Sequence, residues 1–261
     1  MKRFFTILGG MGTAASMNFE KILNERTHAT RDQDYYDYLL VNHASVPDRT
    51  AYILNHRKES FLPALSDDLI QQNLLKPNFI AMACNTAHYF YPELQAMTEI
   101  PILHMPFLVA LEAVNRYPDQ KSFGLLATKG TLSDHVYEKC FEILGREVIL
   151  PSEELADLVM KFIYENVKQE NQLDREFFNQ ILKRARDYFG VSTLILGCTE
   201  LSYAADVLQI TDNLLDSQSI LVDRTLELAY AFRYQSAQVP ILLQKMKTIG
   251  DQKGLLDKIS D

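Results

Sequence analysis

The sequence FIAMACNT, residues 79–86, is an apolar run that ends in a cysteine followed by polar residues. The sequence TLILGCTE, residues 193–200, has the same form and also places a cysteine directly after the apolar run. A short apolar run that leads into an amphipathic stretch is typical of a buried parallel strand followed by a helix. The two stretches therefore predict two equivalent strand-to-helix junctions.

Short apolar runs of this kind recur along the chain and alternate with helical patterns. The predicted strands are residues 4–8, 38–41, 79–83, 100–104, 122–127, 147–150, 193–196 and 213–215. Between them, apolar residues recur at helical spacing, for example over residues 61–74 and 155–163. Strands separated by helices in this way predict an α/β fold with parallel sheets and right-handed crossovers.

A second motif, which precedes the cysteine junction, also occurs twice in the chain. FTILGGMGT at residues 5–13 is matched by FGLLATKGT at residues 123–131, and each precedes a cysteine junction. Any two strand–helix units resemble each other, but here both the order and the cysteines recur. We therefore predict two similar parallel-sheet α/β domains related by pseudo-twofold symmetry, with the active site in the cleft between them.

The predicted domain boundary lies where proline and turn residues interrupt the pattern, at Pro106 and residues 117–120. The first domain is predicted to comprise residues 1–105 plus about 217–235, because the helix after residue 216 is expected to return to it. The second domain is predicted to be residues 106–216. Residues 236–261 are polar and irregular and are predicted to be a C-terminal tail, either a frayed end or a partner contact.

Composition excludes several classes of protein. With 26 Lys and Arg against 34 Asp and Glu, the net charge of -8 argues against non-specific nucleic-acid binding. No apolar run has the roughly 18 residues of a membrane helix, and the apolar stretch near the N-terminus is too short for a signal peptide. Three cysteines are too few for a disulfide scaffold, and the histidine spacing fits no metal site. We expect a cytoplasmic protein without metal or membrane contact.

Cys84 and Cys198 are the residues that carry a chemical hypothesis. Each follows a strand at a helix N-terminus, where ligands bind in α/β sheets and where the helix dipole favours a thiolate. Two such thiols on opposite sides of one cleft suit proton exchange at a stereocentre, in which one removes the α-proton and the other delivers a proton. A lone cysteine at a strand end is more often a core residue. Cys140, inside a helical pattern, is interpreted as packing.

The residues quoted so far resemble a known family. ACNTAH at residues 83–88 and GCTEL at 197–201 resemble the two cysteine motifs of the cofactor-independent aspartate/glutamate racemase superfamily. LGGMG at residues 8–12 and ASVPDRT at 44–50 resemble its aspartate racemase branch. Two positions depart from the patterns: Thr13 stands where the family commonly has proline, and Glu200 stands where glutamate racemases usually carry histidine.

The resemblance implies roles for individual residues. It assigns acid and base to Cys84 and Cys198, contact with the substrate side-chain carboxylate to Arg49, and a substrate-binding lysine to Lys168, with Lys161 as the alternative register. Arg49 also has a simpler reading, an ion pair with Asp48 or Glu59. The remaining expected substrate-binding residues are Met11, Asn85, Thr86, Ala87, Thr128, Thr131, Thr199 and Glu200. Several of these are also ordinary helix caps.

The resemblance implies an isomerase that interconverts L- and D-aspartate with no pyridoxal phosphate or other cofactor, commonly as a homodimer. Glutamate or a broader amino-acid range is the nearest alternative, since one methylene gives only about 1–3 kcal/mol of discrimination. Maleate isomerisation and malonate decarboxylation occur on the same architecture. A small-carboxylate-binding homologue without catalytic activity is the alternative from another class, and retention of both cysteines argues against it.

Overall fold

Two parallel sheets with covering helices make up the computed structural model, which describes residues 1–169 and 172–247. The strands are β1 (Phe5–Gly9), β2 (Tyr38–Asn42), β3 (Ile80–Met82), β4 (Ile102–Leu103), β5 (Ser122–Ala127), β6 (Glu147–Ile149), β7 (Leu194–Gly197) and β8 (Leu214–Asp216). The helices are α1 (Thr13–Arg26), α2 (Arg49–Leu54), α3 (Leu62–Leu75), α4 (Tyr91–Ala96), α5 (Met105–Arg116), α6 (Lys129–Asp134), α7 (Val136–Ile143), α8 (Glu153–Lys161), α9 (Arg175–Phe189), α10 (Thr199–Val207), α11 (Ser217–Tyr234) and α12 (Val239–Lys247). Shorter or irregular helices are the 3₁₀ turns Asp32–Asp34 and Thr86–Phe90 and the π-helix Phe162–Gln169.

The two sheets have the same strand order. The first is β2-β1-β3-β4 and the second is β6-β5-β7-β8, and every pairing in both is parallel. β1 and β5 therefore occupy equivalent central positions, and so do β3 and β7, which precede the two cysteines. The predicted α/β fold is confirmed, and each of the eight observed strands overlaps a predicted one.

The fourth strand shows where sequence patterns overestimate length. The apolar stretch 100–104 predicts five residues, whereas β4 contains only Ile102 and Leu103. Pro101 has no N–H to donate, although its carbonyl accepts the N–H of Ile80 at 2.8 Å. His104 ends the strand by capping α5, with its ring nitrogen accepting the N–H of Phe107 at 3.2 Å.

One hydrophobic cluster connects the two sheets. It contains Phe5 and Phe79 from the first sheet, Phe123 and Leu215 from the second, and Leu221 from α11. α11 follows the last strand and packs against α1, α5 and α10. Separate clusters cover the remaining face of each sheet, with α3 over the first and α8 and α9 over the second. Because the sheets share a core, the strand ends of both are held at one cleft, while the domain boundaries at residues 105 and 216 stay a prediction.

The segment after residue 235 is more regular than its composition suggests. α12 occupies part of the predicted tail, and Val239 is buried while Leu242 and Leu243 pack against the shared cluster. The sequence predicted a frayed end or a partner contact here and did not predict this helix. Apolar residues at this spacing form a helical face that the polar neighbours obscure. Residues 248–261 of the predicted tail lie outside the described residues.

Candidate active site

Cys84 and Cys198 lie at the carboxyl ends of β3 and β7, at equivalent places in the two sheets. Both are buried, with 5% and 4% of their surface exposed. Cys84 precedes the 3₁₀ helix Thr86–Phe90, whereas Cys198 is the N-terminal cap residue of α10. Cys140 is fully buried in the shared hydrophobic cluster, in agreement with its interpretation as a packing residue.

The two cysteines open into the same small cavity between the halves. Its lining consists mostly of polar side chains: Met11, Arg49, Thr50, Cys84, Asn85, Thr86, Thr128, Tyr164, Lys168, Cys198, Thr199 and Glu200. The free space is about 10 Å³, which is room for about one water molecule. A larger cleft of about 450 Å³ lies elsewhere, beside Arg3 and Arg233, and holds neither cysteine. The chain is therefore closed around the cysteines.

Two expected site residues do not line this cavity. Ala87 is fully buried in the hydrophobic cluster of the first sheet. Thr131 is 1% exposed and lies behind the lining, where its hydroxyl contacts the hydroxyls of Thr86 at 3.0 Å and Thr128 at 3.2 Å. The three hydroxyls form a closed cluster, since Thr86 also contacts Thr128 at 3.0 Å. Thr131 therefore supports two lining residues rather than facing the space itself.

Two lining residues are absent from the set predicted from the sequence. Thr50 directly follows Arg49 in the quoted motif, and its proximity to the site was readable from that motif. Tyr164 lies four residues before Lys168, in the same family-like stretch, and the π-helix that continues α8 sets its place at the cavity. The wider turn brings Lys168 over the Tyr164 ring, with the ammonium nitrogen 4.7 Å from the ring centre. π-helical turns are frequent at functional sites.

Arg49 is held by backbone carbonyls and is 8% exposed. Nη2 donates to the carbonyl of Met11 at 2.6 Å, and Nη1 donates to those of Val46 and Pro47 at 3.1 Å each. Its Nε is buried and has no hydrogen-bond partner. The simpler reading, an ion pair with Asp48 or Glu59, is not what the structure contains. The guanidinium is fixed in place with an unused donor.

Lys168, rather than the alternative Lys161, lies at the cavity. Lys168 Nζ is 3.4 Å from Glu200 Oε1, and the lysine side chain is 24% exposed. Lys161 is 58% exposed and forms an ion pair with Glu165 at 3.9 Å. Burial lowers the pKa of Lys168, but the Glu200 carboxylate and Tyr164 together raise it by a larger amount. The pKa of Lys168 therefore lies above its ordinary value. The lysine is therefore a fixed positive charge.

Glu200 is buried against Cys198. Its Oε2 accepts hydrogen bonds from the Cys198 thiol at 2.9 Å and from the Thr199 hydroxyl at 3.3 Å. Oε1 is buried, has no hydrogen-bond partner and faces the Lys168 ammonium. A Cβ on Gly12 would come within 2.8 Å of this oxygen. Glycine at residue 12 thus lets the first loop approach Glu200 closely without moving the carboxylate.

The equivalent glycine of the second half makes the reciprocal contact. A Cβ on Gly130 would lie 2.9 Å from Thr50 and 3.0 Å from Thr86. Gly12 and Gly130 occupy the same place in the repeated motifs, and so do Glu200 and Thr86. Each half therefore places its first loop against the cysteine junction of the other, as pseudo-twofold symmetry requires.

The expected effect of the helix termini on the thiols is overruled by burial. The pKa of Cys84 is raised by burial and partly restored by the positive charge of Arg49. The pKa of Cys198 is raised well above its ordinary value by burial and by the Glu200 carboxylate. Removal from water disfavours a thiolate more than a nearby helix dipole favours it. Burial therefore favours the thiol form at both cysteines, and most strongly at Cys198, whose thiol also donates to Glu200.

The turn after β1 forms with threonine, rather than proline, at residue 13. Thr13 is the first residue of α1. The Ser16 hydroxyl accepts the N–H of Gly10 at 2.9 Å and donates to the carbonyl of Gly12 at 2.8 Å. Gly10 has a φ of 88°, which requires glycine. Ser16 therefore fixes this turn from within the helix.

Within residues 1–169 and 172–247, no three His, Cys, Asp or Glu side chains gather closely enough to hold a metal ion. None of the described helices combines the length and apolar character needed to cross a membrane.

Comparison with known proteins gives a consistent result. The Asp/Glu/hydantoin racemase family model matches residues 8–225, a range that includes both cysteine junctions. The broad-specificity amino-acid racemase of Bacillus subtilis (strain 168) is 24% identical over 235 residues, which cover 87% of this chain and 98% of the relative.

Solved structures of similar proteins share the fold. The aspartate racemase of Picrophilus torridus superposes with a TM-score of 0.74 at 26% identity and covers 89% of this chain and 99% of its own. A glutamate racemase from Francisella tularensis in complex with D-glutamate superposes with a TM-score of 0.59 at 18% identity, over 88% of this chain and 82% of its own, which shows similarity of fold alone.

Proposed function

The chain belongs to the Asp/Glu/hydantoin racemase family and is an amino-acid racemase, and from that premise we propose that it interconverts L- and D-aspartate. We infer that Cys84 and Cys198 are its two acid/base groups. The observation that carries the proposal is that both thiols line one buried cavity together with a fixed guanidinium, Arg49. The similarity to an aspartate racemase of known structure supports the choice of aspartate.

The reaction proceeds by two proton transfers on opposite faces of the α-carbon. One cysteine, as thiolate, takes the α-proton; the C–H bond breaks and its electron pair moves onto the α-carbon and its carboxylate. The other cysteine, as thiol, then donates its proton to the opposite face, and the new C–H bond has the inverted configuration. Each turnover leaves the two cysteines with exchanged protonation states.

The cations of the cavity are suited to a substrate with two carboxylates. Arg49 offers an unused Nε–H donor, and Lys168 supplies a second positive charge. Fixed donors beside the α-carboxylate stabilise the negative charge that builds up as the proton leaves. The hydroxyls of Thr86, Thr128 and Thr199 are further donors on the lining. Because the free space fits about one water, the two halves must separate to admit the substrate.

Incubation in heavy water tests the proposal. The enzyme is expected to place deuterium on the α-carbon of L-aspartate and to yield the D-isomer, which NMR and chiral chromatography detect together. The heat-inactivated protein serves as the control. Folded protein that neither exchanges the α-proton of aspartate nor inverts its configuration would contradict the proposed substrate. Exchange with another amino acid in the same assay would then identify the correct substrate.

A broader substrate range is the second candidate. It is favoured by the similarity to a broad-specificity amino-acid racemase, which covers nearly all of that relative. Arg49 distinguishes the aspartate-specific from the broad-range candidate in physical terms. A substrate with a neutral side chain would leave the Arg49 Nε–H without a partner. Turnover of neutral amino acids at rates within about tenfold of aspartate, which is about 1.4 kcal/mol, would favour the broad range.

The proposal retains the other expectations from the sequence. It requires no cofactor, since the two thiols themselves move the proton. It also includes the expectation that the protein is a cytoplasmic homodimer. Sedimentation of the purified chain measures the assembly state, and a monomer at micromolar concentration would contradict this part.

A further inference from the structure

The two cysteines of the cavity lie in different electrostatic surroundings. The Cys198 thiol donates a 2.9 Å hydrogen bond to a buried carboxylate, Glu200. Cys84 has no such acceptor among its described hydrogen bonds, and the charged group with the largest effect on it is the Arg49 guanidinium. A carboxylate that accepts the S–H bond stabilises the thiol and repels the thiolate.

Further charged and titratable groups face the pair from the elements packed around it. Lys168 and Tyr164 come from the π-helix, Arg49 from α2, Glu200 from α10 and Tyr137 from α7. The lysine favours the thiolate at both cysteines, so it does not by itself distinguish them. Glu200 contacts only one of the two by hydrogen bond. Glu200 also raises the pKa of Cys84 through its charge, but only at Cys198 does a hydrogen bond add to that effect. Together with Arg49, which favours the Cys84 thiolate, this bond makes the pair unequal.

We propose that Glu200 is a positioning residue that holds Cys198 as the hydrogen-bonded thiol in the substrate-free enzyme and so makes Cys84 the cysteine that ionises first. This inference rests on the proposed function for its catalytic meaning. It differs from the substrate contact expected for Glu200 from the sequence, because the carboxylate acts through Cys198. Its counterpart in the first half, Thr86, bonds to other hydroxyls.

The proposal defines the direction of the first proton transfer. The Cys84 thiolate takes the α-proton and becomes a thiol, and Cys198 gives its S–H proton to the opposite face and becomes a thiolate. That thiolate then lies beside the Glu200 carboxylate, which repels it. After product release, Cys198 recovers a proton from solvent and Cys84 loses one to it, so the resting state is restored with protons balanced.

Alkylation of individual cysteines measures the order of ionisation. Full-length enzyme is treated with iodoacetamide over a pH series, stopped at low conversion so that each molecule carries at most one label, and the labelled peptides are quantified by mass spectrometry. The midpoint pH of each cysteine's rate reports its ionisation, whatever its accessibility. We expect the midpoint of Cys84 to lie below that of Cys198.

Removing the carboxylate charge is expected to bring the two midpoints together. In Glu200→Gln the Cys198 midpoint should fall by about one pH unit or more, equal to an about tenfold faster reaction at a fixed pH. Glu165→Gln, which removes an exposed carboxylate one turn from Lys168, is the matched control and should change neither midpoint. Glu200→Asp retains the charge on a shorter arm and should give an intermediate shift; it also replaces Glu200→Gln if that variant does not fold.

Two results would overturn the proposal: a wild-type Cys198 that ionises before Cys84, or a Cys198 midpoint that is the same in wild type and Glu200→Gln. Neither depends on the identity of the substrate. Failure of the heavy-water experiment would overturn the proposed substrate and leave the measured order of the thiols intact, so the two failures are distinguishable.

Discussion

The two cysteine junctions, residues 84–88 and 198–202, occupy equivalent places in two sheets of identical strand order but carry different side chains. At the third position, Thr86 joins a hydroxyl cluster, whereas Glu200 binds the thiol of its own junction. At the fifth position, a ring nitrogen of His88 contacts the carbonyl of Cys84 at 2.8 Å, and the hydroxyl of Ser202 donates to that of Cys198 at 3.4 Å.

This comparison shows that the repeated backbone and the side chains that differ between the two junctions have different effects. The repeated backbone brings two thiols to one cavity, which a single unit cannot do. The substituted side chains then give each thiol its own surroundings: Arg49 has the largest charge effect at Cys84, and Glu200 has the largest at Cys198. A racemase needs one acid and one base at any moment, so unequal surroundings suit the chemistry better than perfect symmetry.

Replacing a cysteine should give the largest effect. Cys84→Ser and Cys198→Ser are each expected to lower the racemisation rate by about 10²–10⁴-fold, the usual contribution of a positioned acid or base. Chiral analysis of the product measures the loss. Cys140→Ser, which changes a thiol in the core, should leave the rate nearly unchanged. Full activity of Cys84→Ser in both directions would show that the two junctions are not two halves of one catalytic pair.

The fifth positions should differ in how stability depends on pH. His88 is neutral and buried; Met105 N–H donates to its Nε2 at 3.0 Å, so Nδ1 carries the proton and donates to Cys84 O. Burial lowers its pKa to about 4. The unfolded chain binds this proton below about pH 6.5 and the folded chain only below about pH 4, so this residue's contribution to stability is lost between those values, in total about 3 kcal/mol.

Urea unfolding at pH 7 and pH 4.5 isolates this effect. The stability advantage of wild type over His88→Gln should shrink by roughly 2–3 kcal/mol on going to the lower pH. Thr225→Val is the control, since its buried hydroxyl donates to the Leu221 carbonyl at 2.8 Å and its effect should be the same at both pH values. An equal gap for His88→Gln at both pH values would show that the histidine is not held neutral.

The contact between the halves should give the smallest effect. The Tyr164 hydroxyl donates to Asp48 Oδ2 at 2.9 Å and so joins the π-helix of the second half to the cap of α2 in the first. Tyr164→Phe should lower the free energy of unfolding by about 1 kcal/mol, the net value of one hydrogen bond. Tyr188→Phe, at an exposed tyrosine, is the control. A stability equal to that of wild type would show that this bond does not help to hold the cavity closed.

Much of the fold is readable because its signals are local. Apolar runs of strand length predict each of the eight strands in the described part of the chain, and only the strand ends differ, as at Pro101, where the missing N–H shortens β4. The helical character of Val239–Lys247 was not predicted, because only packing of Leu242 and Leu243 reveals the apolar face. The π-helix was unpredictable for a similar reason, since no residue type specifies the wider turn.

The features of the candidate site also divide into those that local motifs predict and those that only the structure reveals. Motif positions predicted ten of the twelve residues that line the cavity, and the register question between Lys161 and Lys168 needed coordinates. The expected lowering of the thiol pKa was wrong. Helix termini are visible in a sequence, but the depth at which a thiol is buried is not, and burial dominates here.

By itself, the sequence determined that the chain consists of two matching strand–helix units and that each carries a cysteine at the end of a central strand. Periodicity and motif order are properties of neighbouring residues, so they survive without coordinates. Only the tertiary structure decided that the sulfurs line one closed cavity and that a carboxylate lies against just one of them. Cys84 and Cys198 are more than a hundred positions apart, whereas Glu200 is only two residues after Cys198. In both cases side-chain packing and loss of water in the assembled core establish the relation.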